Sequence, residues 1–262
     1  MNMFCPLASG SKGNCALLSI DSTKILIDLG ISKTMLISRL ESLAITLDEI
    51  QGIFISHEHI DHIGGLKSTL KEYNIPIICN FETAKKILSF LSFIPNFKII
   101  RNHEPFLFHN LLVNSFNIFH DAVDPIGFTF ETNNIKFGFC SDIGRISSLV
   151  EHSLSGANYL YIEANYDPFL LDQSNRATIY KQRTQSKFGH LSNQECAKFI
   201  KTLAEQNLES VYLGHLSQEC NTPELAKQTV LNELTAFPHI TVQIALQNKI
   251  STPMIFEQLI TY

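Results

Sequence analysis

Residues 52–62 read GIFISHEHIDH, a stretch that changes abruptly from apolar residues to imidazoles and a carboxylate. Its first half has the pattern of a short, buried β-strand. Three histidines and an aspartate follow within six residues, and their nitrogen and oxygen atoms are ligands that Zn²⁺ and related dications take. A turn after the strand can direct His57 and His59 towards one metal ion and Asp61 and His62 towards a second. A solvated polar loop is the competing interpretation, but it does not account for four potential ligands at this density.

Other candidate ligands lie at or near the ends of predicted strands. Asp28 ends an apolar run, Asp142 lies just beyond a second run, and His215 follows a third. The pair Asn133-Asn134 separates two strand-like runs and predicts a hairpin before Asp142. Taken singly, each of these candidates, like His120, would more often have a structural role. Their shared position at strand ends favours a common site.

Helix-start patterns alternate with the strand-like runs. Serine and threonine caps, two of them in capping boxes with a glutamate three residues later, begin the predicted helices. We therefore expect an α/β fold in which two sheets pack face to face with helices outside and the metal ligands lie on loops at one edge. The patterns place helices at about 32–43 and 83–93 and after Ser192 and Thr222, a helical turn after Thr46, and a strand at 75–79.

Length and composition predict one compact domain over residues 1–262. The chain has 262 residues, of which 45% are apolar and 17% charged, so it can bury a sizeable core. Its first residues lack the basic start and apolar stretch of a signal peptide, and no segment reaches the roughly 18 apolar residues of a membrane span. Six dispersed cysteines without a C-x-x-C pair predict reduced, mostly buried thiols. We therefore expect a cytoplasmic protein with no membrane partner.

The net charge of the chain and the local distribution of its basic residues favour different kinds of ligand. The net charge of −5 argues against binding of nucleic acid by bulk electrostatics. Residues 175–194 nevertheless contain four basic and no acidic side chains and end around His190. A locally basic segment beside metal ions suits a phosphodiester, and its position next to His190 favours substrate contact over a solvated surface loop. This basic rim consists of Arg176, Lys181, Arg183 and Lys187.

The pattern His57-x-His59-x-Asp61-His62 resembles the signature of the metallo-β-lactamase superfamily. The superfamily has four further motifs, which occur here in the expected order, and the resemblance extends from about residue 5 to about residue 250. It implies a four-layer αββα sandwich with the active site at one edge of the two sheets. The residues that match the further motifs are Asp28, His120, Asp142 and His215.

Carried over by position, the resemblance implies two divalent metal ions, of zinc, manganese or iron. It assigns His57, His59 and His120 to one ion, Asp61, His62 and His215 to the other, and Asp142 to a bridging position. Asp28 would orient a ligand without touching the metal. The implied reaction is hydrolysis by a hydroxide held between ions about 3.5–4 Å apart, with Asp61 and Asp142 orienting it.

Two short stretches indicate which subfamily of this superfamily the chain resembles. Residues 7–14, LASGSKGN, and residues 189–193, GHLSN, are similar to the YycJ/WalJ-like subfamily of exonucleases, as are residues 120–128 and 161–167. Relatives of this subfamily include ribonuclease Z, ribonuclease J and a phosphonate-pathway phosphodiesterase. The resemblance implies a phosphodiesterase or nuclease, such as a 5′-3′ exonuclease on DNA or RNA. His190 would then contact a phosphate oxygen or protonate the leaving oxygen, unless it only packs at a helix entry.

Two other functions stay open. A thioester, lactone or cyclic-phosphodiester hydrolase would use the same metal site, because fold and metal do not fix the substrate. A non-catalytic regulatory module is disfavoured because every ligand position is filled, and a flavodiiron protein would carry Glu where this chain has His59. The sequence does not distinguish DNA from RNA, exonuclease from endonuclease, or one metal or oligomeric state from another.

Overall fold

Two seven-stranded β-sheets dominate the computed structural model, which describes residues 2–132 and 134–256. The strands are β1 (Met3–Ala8), β2 (Cys15–Ile20), β3 (Thr23–Ile27), β4 (Gly52–Phe54), β5 (Ile77–Asn80), β6 (Phe97–Ile100), β7 (Phe106–Phe108), β8 (Leu111–Asn117), β9 (Ile126–Glu131), β10 (Lys136–Cys140), β11 (Tyr159–Glu163), β12 (Ser210–Gly214), β13 (Thr241–Ile244) and β14 (Met254–Ile255). The α-helices are α1 (Lys33–Glu41), α2 (Ile60–Ile63), α3 (Leu66–Thr69), α4 (Phe81–Phe90), α5 (Ser148–Leu154), α6 (Pro168–Gln173), α7 (Thr178–Thr184), α8 (Asn193–Ala204) and α9 (Pro223–Glu233).

The first sheet has the strand order β14-β1-β2-β3-β4-β5-β6. Strands β1 to β3 form an antiparallel meander, whereas β3, β4, β5 and β6 are parallel neighbours. Parallel strands are usually covered on both faces, which explains why β4 and β5 are buried along their whole length. Because β3 and β4 are parallel, Asp28 and the histidine segment 57–62 leave the same edge of this sheet.

The second sheet has the order β13-β12-β11-β10-β9-β8-β7. Strands β9 and β10 pair antiparallel, which confirms the predicted hairpin, although Asn133 of its turn lies outside the described residues. Strands β10 to β13 are parallel. The loops that follow β10, β11 and β12 therefore begin at one edge of the sheet.

The chain divides into two compact units. Within the described residues, the first unit takes everything up to Leu112, the short segment Ala122–Pro125 and everything from Leu246 onward. The second unit takes Val113–Asp121 and Ile126–Ala245. Each unit has its own buried apolar cluster. The single domain expected over residues 1–262 stays a prediction.

The helix starts agree with the sequence patterns, with one correction. Both predicted capping boxes are present, at Thr46 and at Ser192. The helix expected at 83–93 is wrong at both ends, because α4 runs over Phe81–Phe90. Its start is set by the side chain of Asn80, which accepts a hydrogen bond of 3.0 Å from the backbone N–H of Thr83.

All six cysteines are buried and unpaired, which confirms the expected reduced thiols. Burial raises the pKa of the Cys5 and Cys79 thiols to about 12, because a thiolate loses its hydration there. Among the helices of the described chain, none is both long enough and apolar enough to span a membrane. The cysteines are Cys5, Cys15, Cys79, Cys140, Cys196 and Cys220.

Candidate metal centre

In the first unit, the histidine segment 57–62 forms a tight group of nitrogen and oxygen donors. Helix α2 begins directly after His59, and this turn brings the side chains on either side of it together. Nε2 of His57 lies 3.1 Å from Nδ1 of His59, and the ring centroids of His57 and His62 are 4.0 Å apart. Oδ2 of Asp61 lies 3.5 Å from Nε2 of His62. Each of the four ligand candidates predicted in this segment thus lies close to at least one of the others.

Asp28 and Asn14 hold this group from two sides. The carboxylate of Asp28 is fully buried and accepts hydrogen bonds from Nδ1 of His62 (2.8 Å) and from the backbone N–H of Ser56 (2.8 Å). Nδ2 of Asn14 lies 3.0 Å from Nε2 of His62 and 3.1 Å from Oδ2 of Asp61. Because Nδ1 of His62 donates to Asp28, its Nε2 carries the lone pair that a metal ion needs.

In the second unit, the carboxyl ends of the parallel strands β10, β11 and β12 and the loop before α8 carry a second group of donors. Asp142, Glu163, His190 and His215 each offer one atom, and these atoms lie within 4.8 Å of one another. Oδ1 of Asp142 lies 3.2 Å from Nδ1 of His215. Such a buried mixture of imidazoles and carboxylates has the donor chemistry of a dication site.

Glu163 organises this second group, and the sequence analysis did not identify it. Its Oε1 accepts from Nδ1 of both His190 and His215, each at 2.8 Å. Its Oε2 accepts from the backbone N–H groups of Ile143 (2.9 Å) and Leu191 (3.2 Å). Burial alone would raise the pKa of this carboxyl, but the charge of His190 and the two imidazole hydrogen bonds lower it. The sequence signal that could have identified Glu163 is its position at the end of an apolar, strand-like run, Tyr159–Glu163.

His190 lies in the second group, next to two other imidazoles. Its ring centroid is 5.4 Å from that of His120 and 5.3 Å from that of His215. Burial opposes protonation of this ring, but the carboxylate of Glu163 outweighs it, so the pKa of His190 is raised. The side chain of His190 is 25% exposed, whereas that of Glu163 is fully buried, and His190 precedes α8 without belonging to it.

His120 is buried in the second unit and has the same ring arrangement as His62 and His215. Its Nδ1 lies 3.2 Å from the carbonyl oxygen of Gly189 and donates to it. In all three histidines, Nδ1 is therefore held by a protein acceptor, which leaves the lone pair on Nε2. Metal-binding histidines commonly show this arrangement. The residues present thus fit divalent metal ions.

Three of the predicted site residues have a left-handed backbone. Asp28 (φ 59°), Asp142 (φ 52°) and His215 (φ 52°) each follow a β-strand directly or closely. This conformation is uncommon for residues other than glycine and concentrates at functional sites. The left-handed conformation changes the direction of the chain where each of these strands ends.

The basic rim is only partly available to a ligand. Arg176 forms an ion pair of 2.7 Å with Glu219, and Arg183 pairs with Asp121. Lys181 donates to the carbonyl oxygen of Asp172, and Lys187 lies against aromatic rings. A cavity of about 140 Å³ lies beside this segment. It is lined by His120, Asp121, Tyr180, Arg183, Thr184, Phe188, Gly189 and His190.

Comparison with known proteins agrees with this geometry. The profile of the family described as "Beta-lactamase superfamily domain" matches residues 23–215. The chain is 31% identical over 229 residues to the exodeoxyribonuclease YycJ of Bacillus anthracis, covering 87% of each chain. It is 34% identical over 233 residues to the exodeoxyribonuclease WalJ of Streptococcus pneumoniae serotype 2, covering 87% of this chain and 86% of that one.

Solved structures identify the fold. The metallo-β-lactamase fold protein YhfI from Bacillus subtilis matches with a TM-score of 0.72 at 16% identity, over 96% of this chain and 98% of that one. The predicted α/β fold of this superfamily is therefore confirmed. The donor groups indicate that the chain binds divalent metal ions. By profile, sequence and fold, the chain belongs to the metallo-β-lactamase superfamily and is similar to its YycJ and WalJ members.

Proposed function

We propose that this chain is a metal-dependent phosphodiesterase that degrades nucleic acid. The observation that carries the proposal is the shared arrangement of His62, His120 and His215, whose Nδ1 atoms are all held by protein acceptors. Two relatives above 30% identity are named exodeoxyribonucleases, which supports DNA as substrate and removal of nucleotides from an end.

We assign two divalent ions, of zinc, manganese or iron, to the predicted ligands. His57, His59 and His120 would hold one ion, Asp61, His62 and His215 the other, and Asp142 would bind both. When bound, such ions supply an activated water and positive charge at the phosphate. Asp28, which contacts His62 and Ser56, positions His62 without binding metal.

The other residues of the centre position the reacting groups. Asp61 and Asp142 orient the attacking oxygen by accepting hydrogen bonds. Glu163 fixes the ring of His190, and the exposed part of that ring contacts a phosphate oxygen or protonates the leaving oxygen. The basic rim contributes positive charge near the substrate, chiefly through Lys187.

We also propose that residues 1–262 act as one domain and that the chain works in the cytoplasm. The family profile supports the first point, because it spans parts of both compact units. Six unpaired, buried cysteines support the second, because disulfides are rare in that compartment.

The test is degradation of 5′-labelled single- and double-stranded DNA and RNA by purified protein supplied with Mn²⁺ or Zn²⁺. We expect metal-dependent loss of nucleotides that chelation abolishes. Asp142→Ala is the control, and it should be inactive while it stays folded. The same protein is tested against a thioester, a lactone and a cyclic phosphodiester. Cleavage of one of these with nucleic acid left intact would contradict the proposal and identify a small-molecule hydrolase.

A further inference from the structure

We infer that Phe119 and Phe188 form an aromatic platform on which a base of single-stranded nucleic acid stacks. This inference rests on the proposed function and specifies how the substrate is bound. The two rings meet edge to face, with centroids 5.9 Å apart. Phe188 is 43% exposed, so a ligand can reach its ring.

The aromatic platform lies directly beside the donors of the second unit. Phe119 precedes His120 in the chain, and Phe188 lines the same cavity as His120 and His190. The backbone N–H of Gly144 donates to the carbonyl oxygen of Phe119 at 2.8 Å. A base held on these rings would therefore place its own phosphate next to His190.

The backbone of Gly144 packs closely against the backbone on either side of Phe188. A Cβ atom added to Gly144 would lie 2.4 Å from the carbonyl oxygen of Lys187 and 2.8 Å from the backbone nitrogen of Gly189. The loop after β10 and the loop that carries Phe188 are thus in direct contact. This packing fixes the backbone on either side of Phe188 against the loop after β10.

Two cations border the aromatic platform. The guanidinium of Arg145 lies 5.5 Å from the ring centre of Phe119, and Nζ of Lys187 lies 4.9 Å from that of Phe188. Both side chains are exposed, and within residues 2–132 and 134–256 neither forms an ion pair. Arg176 and Arg183, in contrast, are paired with carboxylates. Arg145 and Lys187 are therefore two cations next to the aromatic platform that phosphates can contact.

Stacking and charge together favour a single strand. Base stacking on an aromatic ring is stronger than an exposed contact between a cation and a ring, so a base can displace Lys187 from Phe188. The displaced ammonium then reaches the phosphate next to the stacked base. A base paired inside a duplex does not present its face to a protein ring, whereas an unpaired terminal base does.

The first test uses Phe188→Trp, because the chain has no tryptophan of its own. We expect a short single-stranded oligonucleotide, without added metal, to quench the new fluorescence in a saturable manner. An oligonucleotide of equal length made of abasic sites carries the same charge and should not quench. Phe81→Trp is the matched control: Phe81 is 60% exposed with Lys85 over its ring, but that lysine pairs with Glu82. DNA and RNA versions of the oligonucleotide show which is preferred.

The second test measures turnover of the metal-loaded enzyme. Phe188→Ala should raise KM by about 10- to 100-fold with a much smaller change in kcat, and Phe188→Tyr should restore KM. Wild-type enzyme on an abasic substrate should lose a similar factor, and combining both changes should lose no more than one alone. Quenching without turnover would leave the aromatic platform intact and overturn the nuclease proposal. Turnover with no quenching and an unchanged KM in Phe188→Ala would overturn the aromatic platform.

Discussion

At the scale of single residues, Glu163 shows how the fold makes a charged side chain tolerable in the interior. A buried carboxylate is costly unless each oxygen is hydrogen-bonded. Here one oxygen accepts two imidazole N–H groups and the other accepts two backbone N–H groups. The carboxylate therefore stays ionised and holds His190 and His215 in one orientation each.

Glu163→Gln should weaken the metal centre without unfolding the chain. Wherever the new amide NH₂ points, it meets two N–H donors, so either both imidazoles or both backbone groups lose their acceptor. We expect metal affinity and kcat to fall by about 10- to 100-fold, the usual effect of removing a group that orients ligands. Bound metal per chain and turnover measure this. Glu209→Gln, which alters a carboxylate bonded to the hydroxyl of Tyr159, is the control. Metal content and turnover like wild type would show that Glu163 is only structural.

Asp28→Asn should act through His62. An asparagine keeps the left-handed backbone of this position but replaces one carboxylate oxygen by a donor, so the acceptor of His62 Nδ1 is weakened. We expect about 10- to 100-fold weaker metal binding, measured by titration with a competing chelator. Asp21→Asn is a matched control, because Asp21 has φ 54° and is exposed. If both variants bound metal equally, the positioning role of Asp28 would be wrong.

The residues of this site differ in how far the sequence revealed them. The density of ligands in the segment 57–62 made four of them visible without any structure. Glu163 was not visible, because its partners His190 and His215 are distant in sequence. His215 meets it through the parallel pairing of β11 and β12, and His190 meets it from the loop before α8. The left-handed backbone at Asp142 and His215 was likewise hidden, because neither residue type requires it.

At the scale of elements, the parallel strands explain why the donors assemble. Strands β10, β11 and β12 are consecutive parallel neighbours, and Asp142, Glu163 and His215 all lie at their carboxyl ends. Apolar runs and turn residues were enough to predict most of these strands. The boundaries of α4 were not, because Asn80 ends β5 and caps the helix at the same time.

Thr222→Ala tests the cap of α9, which packs against α8. The hydroxyl oxygen of Thr222 accepts from the backbone N–H of Leu225 at 3.1 Å, and the side chain is exposed. Removing it should lower the free energy of unfolding by about 1 kcal/mol, because one N–H at the helix start loses its partner. Urea denaturation measures this, and Thr222→Ser should keep nearly full stability. Equal destabilisation by both variants would mean that the methyl group, not the hydroxyl, is what matters.

At the scale of the whole molecule, net charge is a poor guide to the substrate. The chain carries −5, yet Arg145 and Lys187 place positive charge against the rings of Phe119 and Phe188. The basic rim was identified from a run of residues, so Arg145, which comes from a separate loop, was missed. Two of the four rim residues, Arg176 and Arg183, are paired with carboxylates, which a sequence cannot show.

Burial of cysteines such as Cys5 and Cys79 makes the stability of the molecule depend on pH. A thiol whose pKa is raised in the folded state stays protonated there while the unfolded chain ionises. The stability that this contributes is complete below the ordinary thiol pKa of about 9, and it is lost as the pH rises towards the raised value. For Cys5 and Cys79 the raised pKa is about 12, so this stability is lost between the ordinary thiol pKa and pH 12.

Native protein should also react very slowly with a thiol reagent at pH 8, because all six thiols are buried and the reagent does not reach them. A pKa of about 12 in place of 9 lowers the thiolate fraction roughly 1,000-fold for Cys5 and Cys79. We expect the full count of six free thiols, measured by absorbance with a disulfide reagent, only after denaturation.

Between pH 8 and 10, the urea midpoint should fall as the unfolded chain ionises. Cys5→Ala with Cys79→Ala should flatten that fall, and a double variant with the wild-type slope would contradict the assignment.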